Sequence, residues 1–143
     1  MTKQDRNIFV VLRDGKQNQL SLIKETRNYI ATNNTSKIYL LRIVDRSEDI
    51  GVFNPEAEEA IVTKAEKDIS RFLSELSNIN CQLEKIVKIG SYQDRIEELV
   101  NKYNPEAIIV QSSKMSGIKK IFLGSTTADV INNAHCPVIV VGS

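Results

Sequence analysis

Short runs rich in β-branched residues alternate with longer amphipathic segments along the whole chain. Five runs carry the apolar signal of strands, and the most continuous of them are typical of strands buried on both faces of a parallel sheet. They are Ile8–Leu12, Ile38–Val44, Leu83–Ile89, Ala107–Val110 and Pro137–Val141. Between them, apolar side chains recur at helical spacing. This spacing predicts four helices, over Gln17–Thr32, from Pro55 to about Ser77, from behind Ser91 to Tyr103, and from Gly124 to about Asn133.

The strict alternation of strand and helix predicts the fold class. Right-handed crossovers between successive strands give an α/β domain, a doubly wound five-stranded parallel sheet with helices on both faces. A chain of 143 residues has room for one such core, so residues 1–143 are interpreted as a single domain. Asn54 is the predicted N-cap before Pro55, and Ser91 with Asp94 resembles a capping box. The longest predicted loop runs from Asp45 to Phe53.

Charge and hydropathy exclude several classes of function. Nineteen basic residues stand against 18 acidic ones, a net charge of +1, and no aromatic-rich basic strand is present. A nucleic-acid module is therefore the weakest interpretation. The apolar runs are far shorter than the ~20 residues that cross a bilayer, so no membrane is expected. The polar start of the chain has no apolar leader, which predicts a cytoplasmic protein.

The motifs of common enzymes are absent from the chain. No GxGxxG, GxxxxGK[ST] or GxSxG sequence occurs. His135 is the single histidine and is interpreted as a residue of a connecting loop. Cys81 and Cys136 form no CxxC pair and are interpreted as small apolar fillers. We therefore expect no catalytic residues, no metal site and no enzyme activity.

Several segments in order resemble the universal stress protein family. Asp14-Gly15 follows the first strand as in that family, and Leu40–Ile43 is similar to its second strand. The match is fullest in the last third, at Pro105–Val110, at Gly124-Ser125-Thr126 and at Asn133–Val141. No single piece is highly specific, but the ordered set covers essentially the whole chain. The resemblance implies an adenine nucleotide α-hydrolase-like fold with strand order 3-2-1-4-5.

The resemblance also implies a set of ligand-binding positions. Many members bind ATP through the motif G-x2-G-x9-G-[ST]. On this chain the motif falls on Gln111, Lys114 and Gly124-Ser125, so both leading glycines are replaced. Because side chains occupy space that ribose or phosphate would enter, we expect that ATP is not bound tightly. The full implied set of ligand-binding residues is Asp14, Ile43, Gln111, Lys114, Gly124, Ser125 and Thr126.

A weaker anion site is also predicted. The segment Gly124–Thr127 begins a helix and offers free backbone N–H groups. The side chains of Arg13, Arg42 and Lys114 are expected nearby, so a smaller or differently posed anion, such as a phosphate or a sulfate, can be held there weakly without any adenine.

Three functional hypotheses follow. The first is a small stress-response binding or regulatory domain that forms a homodimer through its last strand, Val138–Val141, as the family resemblance implies. The alternative is an ATP-binding universal stress protein that acts as a nucleotide-dependent switch, with ATP or another adenine nucleotide as cofactor and with slow ATP hydrolysis left open. An enzyme of the wider α-hydrolase superfamily is a weaker hypothesis, because the PP-loop glycines and the HIGH sequence are absent.

Overall fold

The structure is a computed structural model that describes residues 6–13, 19–44, 55–76, 78–112 and 125–142, with side chains from Thr127 onward in the last segment. It contains the alternating strands and helices that the sequence predicts. In chain order they are β1 (Asn7–Leu12), α1 (Leu20–Asn33), β2 (Lys37–Val44), α2 (Pro55–Glu75), β3 (Gln82–Ile89), α3 (Tyr92–Tyr103), β4 (Ala107–Gln111), α4 (Ser125–Asn133) and β5 (Val138–Val141). Asn54 and the predicted loop Asp45–Phe53 lie outside the described residues.

The five strands form one parallel sheet in the order β3-β2-β1-β4-β5. The fold class and the strand order are therefore confirmed. Strand β1 lies at the centre, where Leu12 pairs with Arg42 of β2 and Ile8 pairs with Ala107 of β4. The chain first extends the sheet to one side of β1 and then to the other. This reversal opens a crevice beside the carboxyl end of β1, the usual ligand site of such sheets.

Two apolar layers hold the helices against the sheet. Alternate residues of each strand point to opposite faces, so β1 sends Phe9 and Val11 to one layer and Ile8 and Val10 to the other. The first layer packs under α3 and α4, and we call it the α3/α4 face. The second packs under α1 and α2 and is called the α1/α2 face. Because β1 is covered on both faces, its side chains are all buried, which explains its uninterrupted apolar sequence.

Polar side chains and left-handed residues mark the helix ends. The Ser91 hydroxyl accepts a hydrogen bond from the Asp94 backbone N–H at 3.1 Å, so the predicted N-cap is present. Asn104 ends α3 with φ 48° and donates its N–H to the Val100 carbonyl at 2.8 Å. His135 follows α4 with φ 53° and is exposed, in the connection to β5. Asn104 and His135 turn the chain at the ends of α3 and α4, and the place of His135 agrees with its interpretation as a residue of a connecting loop.

Five strand ends differ from the prediction by one residue. Strands β1, β2 and β3 each begin one residue earlier, at Asn7, Lys37 and Gln82, and the other two differences are in β4 and β5. β4 continues through Gln111, which pairs with Val141, and the next N–H, of Ser112, donates to the Val141 carbonyl at 2.8 Å. The polar side chain of Gln111 concealed this extension. β5 begins at Val138 rather than Pro137. The Pro137 carbonyl accepts from Ile108 at 3.0 Å, but proline has no N–H to continue the ladder.

Candidate functional site

The crevice at the carboxyl end of the sheet is formed by strands of unequal length. β1 is paired up to Leu12, opposite Arg42, whereas β2 continues to Val44. The Gly90 N–H donates to the Val44 carbonyl at 3.0 Å, so the backbone of Val44 points toward β3. Because backbone groups alternate in direction along a parallel strand, the backbone of Ile43 points the other way, past the end of β1. Ile43 itself is fully buried.

Gln111 lies on the opposite side of the crevice, at the carboxyl end of β4. It is 2% exposed and pairs with Val141 of β5. Just beyond it, the Ser112 hydroxyl donates to the Val141 carbonyl at 3.3 Å, which adds to the backbone bond from the same residue. The end of β4 is thus tied to β5. The Gln111 side chain is thus buried at the position onto which the sequence resemblance places the first motif glycine.

Arg42 and Asp68 form a buried ion pair beside Ile43. Arg42 Nε lies 3.4 Å from Asp68 Oδ2 of α2, and the two residues are 4% and 6% exposed. Arg42 Nη1 donates to the Ile43 carbonyl at 2.8 Å. The sequence prediction counted Arg42 among the basic groups that favour an anion. In the structure the Asp68 carboxylate compensates its charge, because α2 crosses the α1/α2 face directly over β2.

Asp68 is a site residue that sequence reasoning missed. It lies within the buried stripe of α2, beside Ala65, Ile69 and Phe72. Burying a carboxylate on the apolar face of an amphipathic helix costs free energy unless the carboxylate is paired. The position of Asp68 within the apolar stripe therefore indicated a buried partner of opposite charge. The partner, Arg42, carried the matching signal, a charge inside an apolar strand.

The structure describes the remaining predicted site residues only in part. Ser125 and Thr126 form the start of α4, whose N-terminus lies at the carboxyl end of the sheet because α4 follows β4. The positive end of the α4 dipole is therefore on this side. The side chains of these two residues lie outside the described residues, as do Asp14, Lys114 and Gly124. Thr127, the third residue of α4, is fully buried, and its hydroxyl has no hydrogen-bond partner among the described residues.

The two cysteines lie away from this crevice. Cys81 directly precedes β3 and packs against the α1/α2 face, whereas Cys136 precedes β5 and packs against the α3/α4 face. Both thiols are free, and burial raises the pKa of each. Within the described ranges, no three histidine, cysteine or acidic side chains converge as metal ligands would. No described helix has the apolar length that a bilayer crossing requires.

The parallel strand order and the helices on both faces define a doubly wound α/β domain. The family model described as "Universal stress protein family" matches residues 6–142. The chain therefore belongs to the universal stress protein family, and the resemblance seen in the sequence is confirmed.

Individual relatives agree with this assignment. Universal stress protein MJ0531 of Methanocaldococcus jannaschii is 26% identical over 137 residues, which cover 93% of this chain and 80% of that protein. The universal stress protein from Archaeoglobus fulgidus, solved in complex with dAMP, has a TM-score of 0.68 at 17% identity and covers 94% of this chain and 96% of its own. An Arabidopsis thaliana family protein with AMP bound has a TM-score of 0.59 at 20% identity, over 95% and 90% of the two chains. At these identities, the two solved structures show the shared fold.

Proposed function

We propose that this protein is a stress-response binding or regulatory domain whose crevice does not hold ATP tightly. The observation that carries the proposal is the buried side chain of Gln111 at the carboxyl end of β4. Glycine at such a position lets a ligand approach the backbone closely, and any larger residue removes that space. Gln111 lies beside the point where the strand order reverses, where ligands of this fold class bind.

The fixed position of Gln111 strengthens the steric argument. Its neighbour Ser112 is bonded to Val141 through both backbone and hydroxyl, so the end of β4 cannot move aside without breaking its pairing with β5. A ligand that needs the space of the Gln111 side chain must therefore displace a packed group. Lys114 replaces the second glycine of the motif and acts in the same direction.

Calorimetric titration with ATP tests the proposal. The wild-type protein is expected to bind weakly, and Gln111→Gly with Lys114→Gly is expected to bind at least tenfold more tightly, about 1.4 kcal/mol. The matched control is Gln82→Gly with Lys85→Gly, which removes the same side chains at the same spacing from β3, away from the crevice. Micromolar binding of ATP by the wild type would contradict the proposal.

We propose further that the domain is a homodimer joined along β5. All four residues of β5 are aliphatic and half-buried, and the strand lies at an edge of the sheet. An apolar edge strand with open backbone groups tends to pair with another strand. An antiparallel partner strand along Val138–Val141 covers that edge in the dimer. The two free cysteines fit a reducing compartment, which supports a role in the cytoplasm.

The second candidate is a switch controlled by an adenine nucleotide. Its support is the solved relatives that hold dAMP and AMP, together with the α4 N-terminus at the crevice. The same titration, extended to AMP, separates the candidates. Nucleotide that remains bound through purification, detected by mass spectrometry after denaturation, would establish the switch and exclude the first candidate.

A further inference from the structure

We propose that a groove at the amino edge of the sheet binds a small, neutral, polyhydroxylated molecule of the monosaccharide type. The groove lies between the segment that joins α1 to β2 and the segment that joins α2 to β3. These segments enter neighbouring parallel strands, and the Gln82 N–H donates to the Ser36 carbonyl at 3.0 Å. The crevice lies at the carboxyl edge of the same sheet, so the two sites are separate and the proposal does not depend on what the crevice binds.

Two overlapping cavities form the groove. Their volumes are about 490 and 440 Å³, within the range of about 300–1,000 Å³ that is typical of small-molecule sites. The lining residues that both cavities share are Asn34, Thr35, Ile79 and Asn80. One cavity continues to Cys81, and the other continues to Arg27 and Ala31 of α1. We call the combined cavity the amino-edge groove.

Thr35 is the lining residue that most directly indicates a ligand. It is 4% exposed, and its hydroxyl has no hydrogen-bond partner within the described part of the chain. Thr26 of α1 is also buried, but its hydroxyl donates to the Leu22 carbonyl at 2.7 Å. A buried hydroxyl without a partner costs free energy, and a ligand hydroxyl would supply the missing partner. Because rotation about χ1 redirects the Thr35 hydroxyl, this contact needs no movement of the backbone.

The other lining side chains match the chemistry of a sugar. Asn34, Asn80 and Gln82 carry amides that both donate and accept hydrogen bonds, as the hydroxyl groups of a sugar do. Ile79 and Ala31 add apolar surface, which suits the C–H faces of a sugar ring. None of the described residues that line the groove is acidic. The lining is therefore polar without a concentration of charge.

The charges around the groove offset one another. Helices α1 and α2 both end at this edge, and neither has a basic residue in its last turn. Arg6 Nη1 donates to the Asn33 carbonyl at 2.8 Å, and Arg27 Nη2 donates to the Glu75 carbonyl at 3.2 Å. Each guanidinium thus meets the negative end of one helix dipole. An anion would approach those carbonyl ends and a cation would approach the arginines, so a neutral ligand is favoured over either.

Glucose, glucuronate and glucosamine are the probes, because they share one ring and are neutral, anionic and cationic. NMR titration of the full chain, at a slightly acidic pH that keeps the amine charged, measures their affinities. Glucose is expected to give saturable shifts in the backbone amides of residues 34–36 and 78–82. It should bind about twofold to fivefold more tightly than either charged probe, the effect of a charge beside a helix end.

The variant Thr35→Val removes the hydroxyl and keeps the shape of the side chain. It is expected to weaken glucose binding about threefold to tenfold, the effect of one hydrogen bond. Its thermal unfolding midpoint should stay the same or rise, because no hydrogen bond within the described part of the chain is lost. Thr26→Val is the matched control and should leave the affinity unchanged. Asn80→Ala changes an exposed lining residue and should weaken binding by a similar factor, which keeps the test available if Thr35→Val does not fold.

The two cysteines locate the bound probe independently. Cys81 lines the groove, whereas Cys136 packs against the α3/α4 face. Saturating glucose should therefore slow the alkylation of Cys81 by iodoacetamide and leave the rate of Cys136 unchanged. Equal slowing of both cysteines would contradict the assigned position.

Three results would overturn the proposal and leave the proposed function of the crevice intact. The first is the absence of shifts at residues 34–36 and 78–82 at high millimolar glucose. The second is tighter binding of glucuronate or glucosamine than of glucose. The third is an affinity for glucose that is unchanged in the folded Thr35→Val and Asn80→Ala variants.

Discussion

The two edges of the sheet differ in length and in charge. Edge strand β3 has eight residues and includes Glu84, Lys85 and Lys88, whereas edge strand β5 has four residues, all aliphatic. Both leave backbone groups open. In β5, Pro137 and Val141 turn their carbonyls toward β4, so the backbones of Val138 and Val140 point outward. The charged side chains of β3 discourage pairing with another strand, and β5 has no such protection.

The length of an edge strand alone does not decide whether it can pair with a partner strand. β3 offers more open backbone than β5, yet a partner strand placed beside it would have to accommodate a carboxylate and two ammonium groups close together. A partner beside β5 meets only aliphatic side chains. We therefore expect the dimer contact at the shorter edge, and each prediction below concerns a residue at or next to one of the two edges.

The largest expected effect comes from charging the apolar edge. Val140→Lys places an ammonium group on β5, so the proposed dimer should dissociate and the solution mass should fall from two chains to one, or the protein should aggregate. Light scattering coupled to size-exclusion chromatography measures this. Leu83→Lys on β3, where the leucine is 39% exposed, is the control and should leave the mass unchanged. A wild-type protein that is already monomeric at high micromolar concentration would contradict the proposed dimer.

Removing charge from β3 should allow this edge strand to pair with a strand of another molecule. Lys85→Val with Lys88→Val removes both ammonium groups from the strand, so a second apolar edge becomes open to pairing. We expect species larger than the dimer, whose fraction rises with concentration in sedimentation velocity runs. An unchanged mass at high concentration would show that the lysines are not what protects β3.

A smaller effect is expected at the cysteines that precede the two edges. Burial raises the pKa of both Cys81 and Cys136, so each should react slowly with iodoacetamide at pH 7. The alkylation rate of each cysteine should still rise about tenfold per pH unit above pH 8.5, whereas the rate of an unperturbed thiol levels off there because it is already mostly thiolate. Single Cys→Ser variants assign the two rates. A dimer along β5 leaves Cys81 unaffected, so dissociating it with Val140→Lys should accelerate Cys136 alone; equal acceleration of both would contradict this.

The smallest effect is expected from the ion pair that joins β2 to Glu84 of β3. Lys37 Nζ lies 2.9 Å from Glu84 Oε1, and the hydrogen bond to Glu84 raises the pKa of Lys37. The pair is partly exposed to solvent, so Glu84→Gln should leave the thermal unfolding midpoint at pH 7 within measurement error. Any contribution is present below the pKa of an unfolded lysine, about 10.4, and is lost as pH rises through the raised value. A large shift at neutral pH would show that this edge depends on the pair.

Most of the fold could be predicted because its strands are buried on both faces. An uninterrupted apolar run such as Ile8–Leu12 permits few alternatives, and proline, glycine and asparagine mark the ends of the elements. Even β3, with its charged residues, retained enough apolar positions to be recognised. Gln111 was excluded from β4 because a polar side chain in a strand usually marks its end.

The candidate site was less predictable because its key contact is not local. Arg42 and Asp68 are 26 positions apart, and only the path of α2 over β2 brings them together. Sequence reasoning assigns charged side chains to solvent, which is correct for most of them. It therefore read Arg42 as an open positive charge. The roles of Asp14, Lys114 and Gly124 stay predictions.

The central position of β1 has a consequence for how the protein is made. β1 leaves the ribosome first, and its partner β4 follows roughly 100 residues later, which takes about 5–20 seconds at ordinary rates of synthesis. During that time one side of a strand that is fully buried in the finished fold lacks its neighbour. β2 can pair early and protect the other side. The growing chain is therefore most exposed to aggregation and to chaperones before β4 emerges, and truncation upstream of Ala107 should leave an unprotected half-sheet.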